Sequence, residues 1–350
     1  MTEEIYKKLA EALNARSMTY PSVPCDEFYA FAKELCTPDE AEIASSMPMN
    51  PVSAEELAPK MKRDAAKLSK QLDEMAAKGL VRIKERDGKR LYEFMPLVPG
   101  IIELQFMHGR LDEHTKRLAQ LLRSYAKALK NLMLTSPPPQ PVGVDKAETR
   151  KVSVEEEIHE LPTILPYEEI MKLIDKTEYI AAGTCVCRHQ GDLLDRPCDK
   201  PKENLCMIFG PSAQFATNHG FTHLLSKEEA RQRIDEAEKA GLVHNFANSH
   251  DRYIDLMCNC CGCHCFILRG AKRAPVPSQL FIADWVITIE NDACLGCGAC
   301  IDRCWMEALK MEGDIAVHDA NRCIGCGVCR YVCPTEAMKL VRREKAPIKS

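Results

Sequence analysis

Cys294-x-x-Cys297-x-x-Cys300-x-x-x-Cys304 recurs as Cys323-x-x-Cys326-x-x-Cys329-x-x-x-Cys333, with Pro334 directly after the second run. Thiolates are soft ligands that suit zinc and iron-sulfur centres. A zinc ribbon takes its four cysteines as two close pairs, whereas each run here offers three close cysteines and a fourth set apart. A tight loop supplies only three thiolates converging on a cubane, so the fourth comes from elsewhere in the fold, and the pattern points to iron-sulfur clusters. Gly296, Gly298, Gly325 and Gly327 lie between the ligands, where backbone must wrap close to inorganic sulfide and aim N–H groups at it. The fourth cysteine of each run is expected to open a short helix, over residues 304–309 and 333–338.

The doubled run resembles the two-cluster bacterial ferredoxins over residues 283 to 341. That resemblance implies a ferredoxin-like fold with two 4Fe-4S clusters and crossed ligation: cluster one on Cys294, Cys297, Cys300 and Cys333, cluster two on Cys323, Cys326, Cys329 and Cys304. Trp305 stands where that family usually has proline, a departure that touches no ligand but bears on the surroundings of cluster two.

Nine further cysteines fall between residues 150 and 270: Cys185, Cys187, Cys198 and Cys206, then Cys258, Cys260, Cys261, Cys263 and Cys265. All nine are candidate metal ligands, and which subset binds is open. The run from Cys258 to Cys265 is too dense for one structural zinc. It resembles cysteine-rich segments of anaerobic iron-sulfur oxidoreductases. Cys260-Cys261-Gly262 is similar to the paired-cysteine motif of heterodisulfide reductases, although the upstream cysteine and separate downstream Cys-x-x-Cys of that family are missing. One or two further 4Fe-4S clusters are expected here, with zinc as the alternative. Ser226-Lys227-Glu228-Glu229 reads as a capping box and Gly241 as the end of the helix it opens, a spacer that folds the two cysteine groups against each other. His189, His219, His223 and His264 are candidate ligands or proton donors, and His264 alone sits between cysteines. A lone histidine is more often a satisfied polar residue than a ligand. The chain carries no nucleophile elbow, phosphate-binding loop or dinucleotide fingerprint, so no catalytic residue is assigned.

These cysteine groups need elements to hold them, and the expected fold class is multidomain α+β. Residues 1–134 read as a docking domain. Helices are expected around 3–16 and 25–36, with Cys25 and Cys36 as plain core cysteines. Residues 53–95 then read as a winged helix: Ser53 caps one helix, Asp64 begins a second with Leu68, Leu72 and Met75 on one face, and Arg86-Asp87-Gly88-Lys89 turns a hairpin. The passage resembles small bacterial winged-helix regulators. Helical periodicity from Ile101 to Leu134 predicts one long helix, suited to dimerisation or to packing on its own domain. A proline-rich linker over 135–149 follows, then a cysteine-rich α+β module over 150–280 and the ferredoxin domain over 281–350.

Residues 60–90 hold eleven Lys or Arg (Lys60, Lys62, Arg63, Lys67, Lys70, Lys78, Arg82, Lys84, Arg86, Lys89 and Arg90) against five acids. Such charge suits phosphate contacts or an acidic partner. The second helix offers Lys67, Lys70 and Gln71 but no arginine for bidentate guanine contact, which favours docking over reading a DNA sequence. Net charge of −4 over 350 residues demands neither nucleic acid nor membrane. The absence of a secretory signal and of an 18-residue apolar run predicts a cytoplasmic protein with no membrane insertion. There the nineteen cysteines serve metals rather than disulfides, in an oxygen-poor setting.

Three functions compete. The first is an iron-sulfur electron-transfer protein, or electron-transfer subunit of an anaerobic oxidoreductase complex, with a flavoprotein or metalloenzyme as partner. The second is a redox-responsive winged-helix transcription regulator. The third is a reductase with a catalytic cluster in the middle module. The tandem cysteine runs favour the first.

Overall fold

The computed structural model describes residues 2–17, 20–135, 163–165, 167–247, 255–281 and 284–343. It divides into two compact units, the first taking Met1–Glu160 with Leu193–Asp195 and Phe215–Phe221, the second Leu161–Asp192, Arg196–Gln214 and Thr222–Ser350. The expected linker lies, from residue 136 on, outside the described residues. No helix among the described residues is long and apolar enough to cross a membrane.

In the first unit the helix starts follow from capping chemistry. Thr37 and Ser53 each form a reciprocal capping box, with Glu40 and Glu56, at the heads of Pro38–Ser46 and Ala54–Met61. Asp64 accepts from the Lys67 amide and opens Ala65–Ala77, which buries Leu68, Leu72 and Met75. Val81–Arg86 and Lys89–Phe94 then pair antiparallel, Val81 opposite Phe94. The turn between them places Asp87 and Gly88 at φ 53° and 71°, the left-handed pair that an Asp-Gly hairpin requires.

The single long helix expected over 101–134 is instead broken into Ile102–Met107 and Glu113–Thr135. Gly109 adopts φ 70°, and Asp112 accepts from the Thr115 amide and hydroxyl at 2.8 and 2.7 Å, so the chain ends one helix and caps another. Periodicity continued across a break that local chemistry imposes.

The charge count over 60–90 also reads differently once the side chains are placed. Arg63 pairs with Asp39 and Glu42, Lys78 with Glu40, and Arg90 with Asp73. Arg82 is buried against Glu93 at 3.2 Å, and Lys84 reaches the same carboxylate. Arg82 is therefore part of the interior, and four of the compensating acids, Asp39, Glu40, Glu42 and Glu93, lie outside the counted window. Lys60, Lys62, Lys67, Lys70 and Lys89 make no ion pair among the described residues.

Burial pushes the Glu103 carboxyl up to about 7, although the Gly100 amide donates to it at 2.6 Å. A folded-state value above the ordinary 4.5 means that the folded protein holds a proton the unfolded chain has released. Stability should then fall as pH rises from about 4.5 to about 7, by roughly 3 kcal/mol in all. Glu103→Gln should flatten that fall in denaturant titrations. An unchanged pH profile in the variant would show that the carboxyl is ionised at neutral pH.

The second unit carries a six-stranded antiparallel sheet, ordered Thr163–Ile164, Val243–Ala247, Asp255–Cys260, Cys206–Phe209, Ile180–Gly183 and His223–Leu225. Tyr167–Lys176 and Lys227–Ala240 supply Ile170, Ile174, Ala230 and Ile234 to a core with Met207, Phe209 and Met257 of the strands. Strand side chains alternate between faces. With Met207 opposite Met257 on the helix-covered face, Cys206 opposite Cys258 falls on the other face, as does Cys260.

The doubled motif follows in the same unit. Trp285–Ile289 pairs antiparallel with Met338–Arg342, and Leu309–Glu312 with Ile315–His318. The short helices expected after the fourth cysteines are absent. A helical turn instead precedes each, Ala299–Arg303 before Cys304 and Arg330–Val332 before Cys333. Glu307 and Glu336 both sit at φ 53°, which stops a helix and turns the chain into the next strand. That turn brings the Ala308 amide onto Cys304 Sγ at 3.3 Å. One core joins the two parts of this unit: Val243, Cys260, Cys265 and Leu268 share it with Ile287, Cys300, Met306 and Ile324.

Candidate metal centres

Two cavities receive the eight cysteines of the doubled motif. The first is lined by Cys294, Cys297, Cys300 and Cys333 among apolar side chains that include Ile289, Leu295 and Met338. The second is lined by Cys304, Cys323, Cys326 and Cys329 with Val243, Trp305 and Ile324. Each cavity thus draws three cysteines from one run and the fourth from the other. Such apolar pockets ringed by four thiols fit a cubane cluster, whose charge the surrounding amides would stabilise. Burial pushes the Cys304 thiol up, and the amides of Ala308 and Met306 act in the opposite sense.

The two cavities differ in exposure. Cys297 is exposed and Leu295 keeps 69 % of its surface beside the first. Around the second, Cys323 and Cys329 are buried, and Trp305 and Val243 close it toward the cysteine-rich sheet. Trp305 donates its Nε1–H to the Gly241 carbonyl at 2.6 Å. Its ring also covers Gly262, where an added Cβ would lie 2.5 Å from Trp305 Cε3. Trp305 is thus a wedge between the Cys304 turn and the Cys261-Gly262-Cys263 loop.

The nine middle cysteines separate into six and three. Cys185 and Cys206, Cys206 and Cys258, Cys258 and Cys260, Cys260 and Cys265, and Cys265 and Cys187 lie close enough for their thiols to shift one another's pKa, a continuous string of six. Hydrogen bonds from Cys206 and Cys260 bring Cys258 down to about 6, and those from Cys187 and Cys260 bring Cys265 well down. Cys260 and Cys187 are correspondingly raised, because each hydrogen-bonds as a thiol to a neighbouring thiolate. The other three, Cys198, Cys261 and Cys263, gather with His264 in a separate group whose ligand atoms all lie within 4.8 Å of one another. His189 is buried in the helix Val186–Leu193, His219 meets the Phe215 carbonyl at 2.8 Å, and His223 is exposed on a strand, so none of these three joins that group.

Arg188 was not singled out by sequence, yet it is fully buried between the two groups. Both of its Nη atoms donate to the Asn259 carbonyl at 3.1 Å, and it has no carboxylate partner among the described residues. Burial works against its charge, but the thiols of Cys185, Cys261 and Cys206 more than offset this and hold its pKa up. A buried guanidinium requires compensating negative charge, which here has to be thiolate. The available signal was its position in Cys185-Val186-Cys187-Arg188, a cation set among ligand-type residues. Asn259 continues the network: its side chain meets His244 Nδ1 at 2.6 Å, and His244 Nε2 meets Glu238 at 2.8 Å. Glu238 in turn acts electrostatically on Cys326 of the second cavity.

Comparison with known proteins gives one match. The family model for a 4Fe-4S dicluster domain matches residues 293–337, the doubled motif and both cavities. No curated protein and no solved structure matches the chain. The dicluster match and the cysteine groups support an iron-sulfur, electron-transferring role.

Proposed function

We propose that this chain is an electron-transfer protein, or the electron-transfer subunit of an oxidoreductase complex, that relays electrons between a redox partner and a metal centre in its cysteine-rich module. Bound 4Fe-4S clusters would supply one-electron chemistry. The carrying observation is the shared core, in which Val243 and Trp305 line the second cavity while Cys260 and Cys265 pack in the same cluster of side chains. Cys297 and Leu295 at the surface make the first cavity the natural contact for a flavoprotein or metalloenzyme. Cys304 and Trp305 lie on the inward side, toward the string of six thiols, the candidate ligands of the metal centre in that module.

The helix pair and hairpin of the first unit are read as a winged-helix docking element. The ion pairs that tie Arg63, Lys78 and Arg90 to acids leave lysines rather than a phosphate-binding arginine cluster, which supports a protein partner over a DNA duplex.

Cys304→Ala tests both the wiring and the role. It should reduce iron in the anaerobically purified protein from about eight in the doubled motif to about four. The EPR signal of the cluster on Cys294, Cys297, Cys300 and Cys333 should remain. Electron delivery beyond the first cluster should stop. Loss of that remaining signal, or full transfer in the variant, would overturn the proposed relay.

A further inference from the structure

We propose that Cys198, Cys261, Cys263 and Nδ1 of His264 form a mononuclear Cys3His zinc site, distinct from every iron-sulfur centre of the chain, that clamps the cysteine-rich loop under Trp305. The ligand atoms lie within 4.8 Å of one another, and Cys198 Sγ is 3.9 Å from Cys261 Sγ and 3.5 Å from Cys263 Sγ. Tetrahedral zinc with Zn–S bonds of about 2.3 Å sets its sulfurs about 3.8 Å apart. A cubane places four metals and four sulfides between its thiolates. Thiolates around a cubane therefore stand farther apart than thiolates that share one ion. The Cys198 group has the dimensions of a single ion.

His264 supplies an independent argument. Its Nε2 lies 2.8 Å from the Arg196 carbonyl and therefore carries the proton, so Nδ1 is the lone-pair nitrogen. That Nδ1 is buried without a hydrogen-bond partner among the described residues. A buried acceptor left unsatisfied is costly, and a metal on Nδ1 with a carbonyl on the opposite nitrogen is the usual arrangement of a ligating histidine. The ring is also held from behind, because a Cβ on Gly191 would come within 2.7 Å of both His264 Cδ2 and the Arg196 carbonyl oxygen. Cys261 is 1 % exposed in a small core with Leu205, Ala237 and Leu242, against which Cys198 and Trp305 pack. Arg188, fully buried and electrostatically coupled to Cys261, would offset the charge of three thiolates on the ion. Zinc has no redox chemistry here. Its role is to fix the loop that carries Cys260 and Cys265 on one side and meets the Cys304 turn on the other.

The test uses the full chain purified anaerobically, with metal analysis and zinc-edge X-ray absorption. About one zinc per chain is expected, with a shell of three sulfurs and one nitrogen. His264→Ala and Cys198→Ser should each lower zinc retention against a chelator at least tenfold, with iron content and the EPR of the reduced dicluster domain unchanged. His264→Cys should keep the zinc and convert its shell to four sulfurs. Gly191→Ala, which displaces the imidazole without removing a ligand, should weaken zinc binding about tenfold. The wild-type absorption spectrum needs no variant to fold. Absence of zinc from the wild type, a shell without nitrogen, or loss of iron in step with His264→Ala would overturn the assignment. The last result would make these residues cluster ligands while leaving the electron-transfer reading intact.

Discussion

Arg188→Met should strip the cysteine-rich module of metal while the dicluster domain keeps its clusters. The guanidinium is fully buried, held by the Asn259 carbonyl and surrounded by the thiols of Cys185, Cys206 and Cys261. Methionine fills much of the same volume but removes a positive charge that faces the thiols of Cys185, Cys206 and Cys261 in a low-dielectric interior. Leaving charge buried and uncompensated costs about 3–5 kcal/mol. The thiols would respond by holding their protons, and a protonated thiol does not bind metal. Metal retention in the middle module should fall about 10- to 100-fold against a chelator, the range seen when groups supporting metal ligands are removed. Arg188→Lys should show a smaller loss, since it keeps the charge but cannot reproduce the two guanidinium hydrogen bonds to the Asn259 carbonyl. Full metal retention in Arg188→Met would mean that the charge of the thiolates is balanced elsewhere.

Gly325→Ala should abolish iron binding at the cavity lined by Cys304, Cys323, Cys326 and Cys329, whereas Gly298→Ala in the sister loop should be tolerated. All four glycines between the ligands adopt positive φ, 65° at Gly296, 73° at Gly298, 68° at Gly325 and 73° at Gly327. The space around them differs. A Cβ on Gly325 would lie 2.1 Å from the Trp285 carbonyl oxygen and 2.7 Å from its carbon, both backbone atoms that cannot step aside without moving the strand Trp285–Ile289. At Gly298 nothing stands within 4 Å of the added atom. That variant bears only the left-handed backbone cost of about 1–2 kcal/mol. Gly325→Ala should lose more than about 3 kcal/mol and about four irons per chain. Gly296→Ala, 2.4 Å from the Asp314 carbonyl oxygen, should resemble Gly325→Ala at the first cavity. Equal iron contents in Gly325→Ala and Gly298→Ala would show that the loop can move away from Trp285.

The amino-acid sequence by itself determined whatever depends on neighbours along the chain. The doubled cysteine spacing is local, and the dicluster match at residues 293–337 rests on it. Thr37, Ser53 and Ser226 fix helix starts through side chains that reach three residues ahead, and Asp87-Gly88 fixes a hairpin through two left-handed residues. Local reading failed where two local signals competed. Apolar periodicity ran through residues 108–112, where Gly109 and Asp112 break the helix, and the helices expected after Cys304 and Cys333 yield to left-handed Glu307 and Glu336.

Tertiary structure alone decided what lies across long separations. The acids that neutralise Arg63 and Lys78 lie at residues 39–42, so a charge count over residues 60–90 could not register them. Nine thiols between residues 185 and 265 read in one dimension as a group of four, Cys185 to Cys206, and a group of five, Cys258 to Cys265. Strand alternation and the pairing of Cys206 with Cys258 collect six of them in a string, while the turn after Cys260 carries Cys261 and Cys263 to meet Cys198 and His264. Trp305 reads in sequence as a departure from a proline, and only the fold shows it seated on Gly262 and bonded to Gly241. Metal sites are built by convergence, and convergence of side chains far apart in sequence is set by sheet register and packing, which no local spacing encodes.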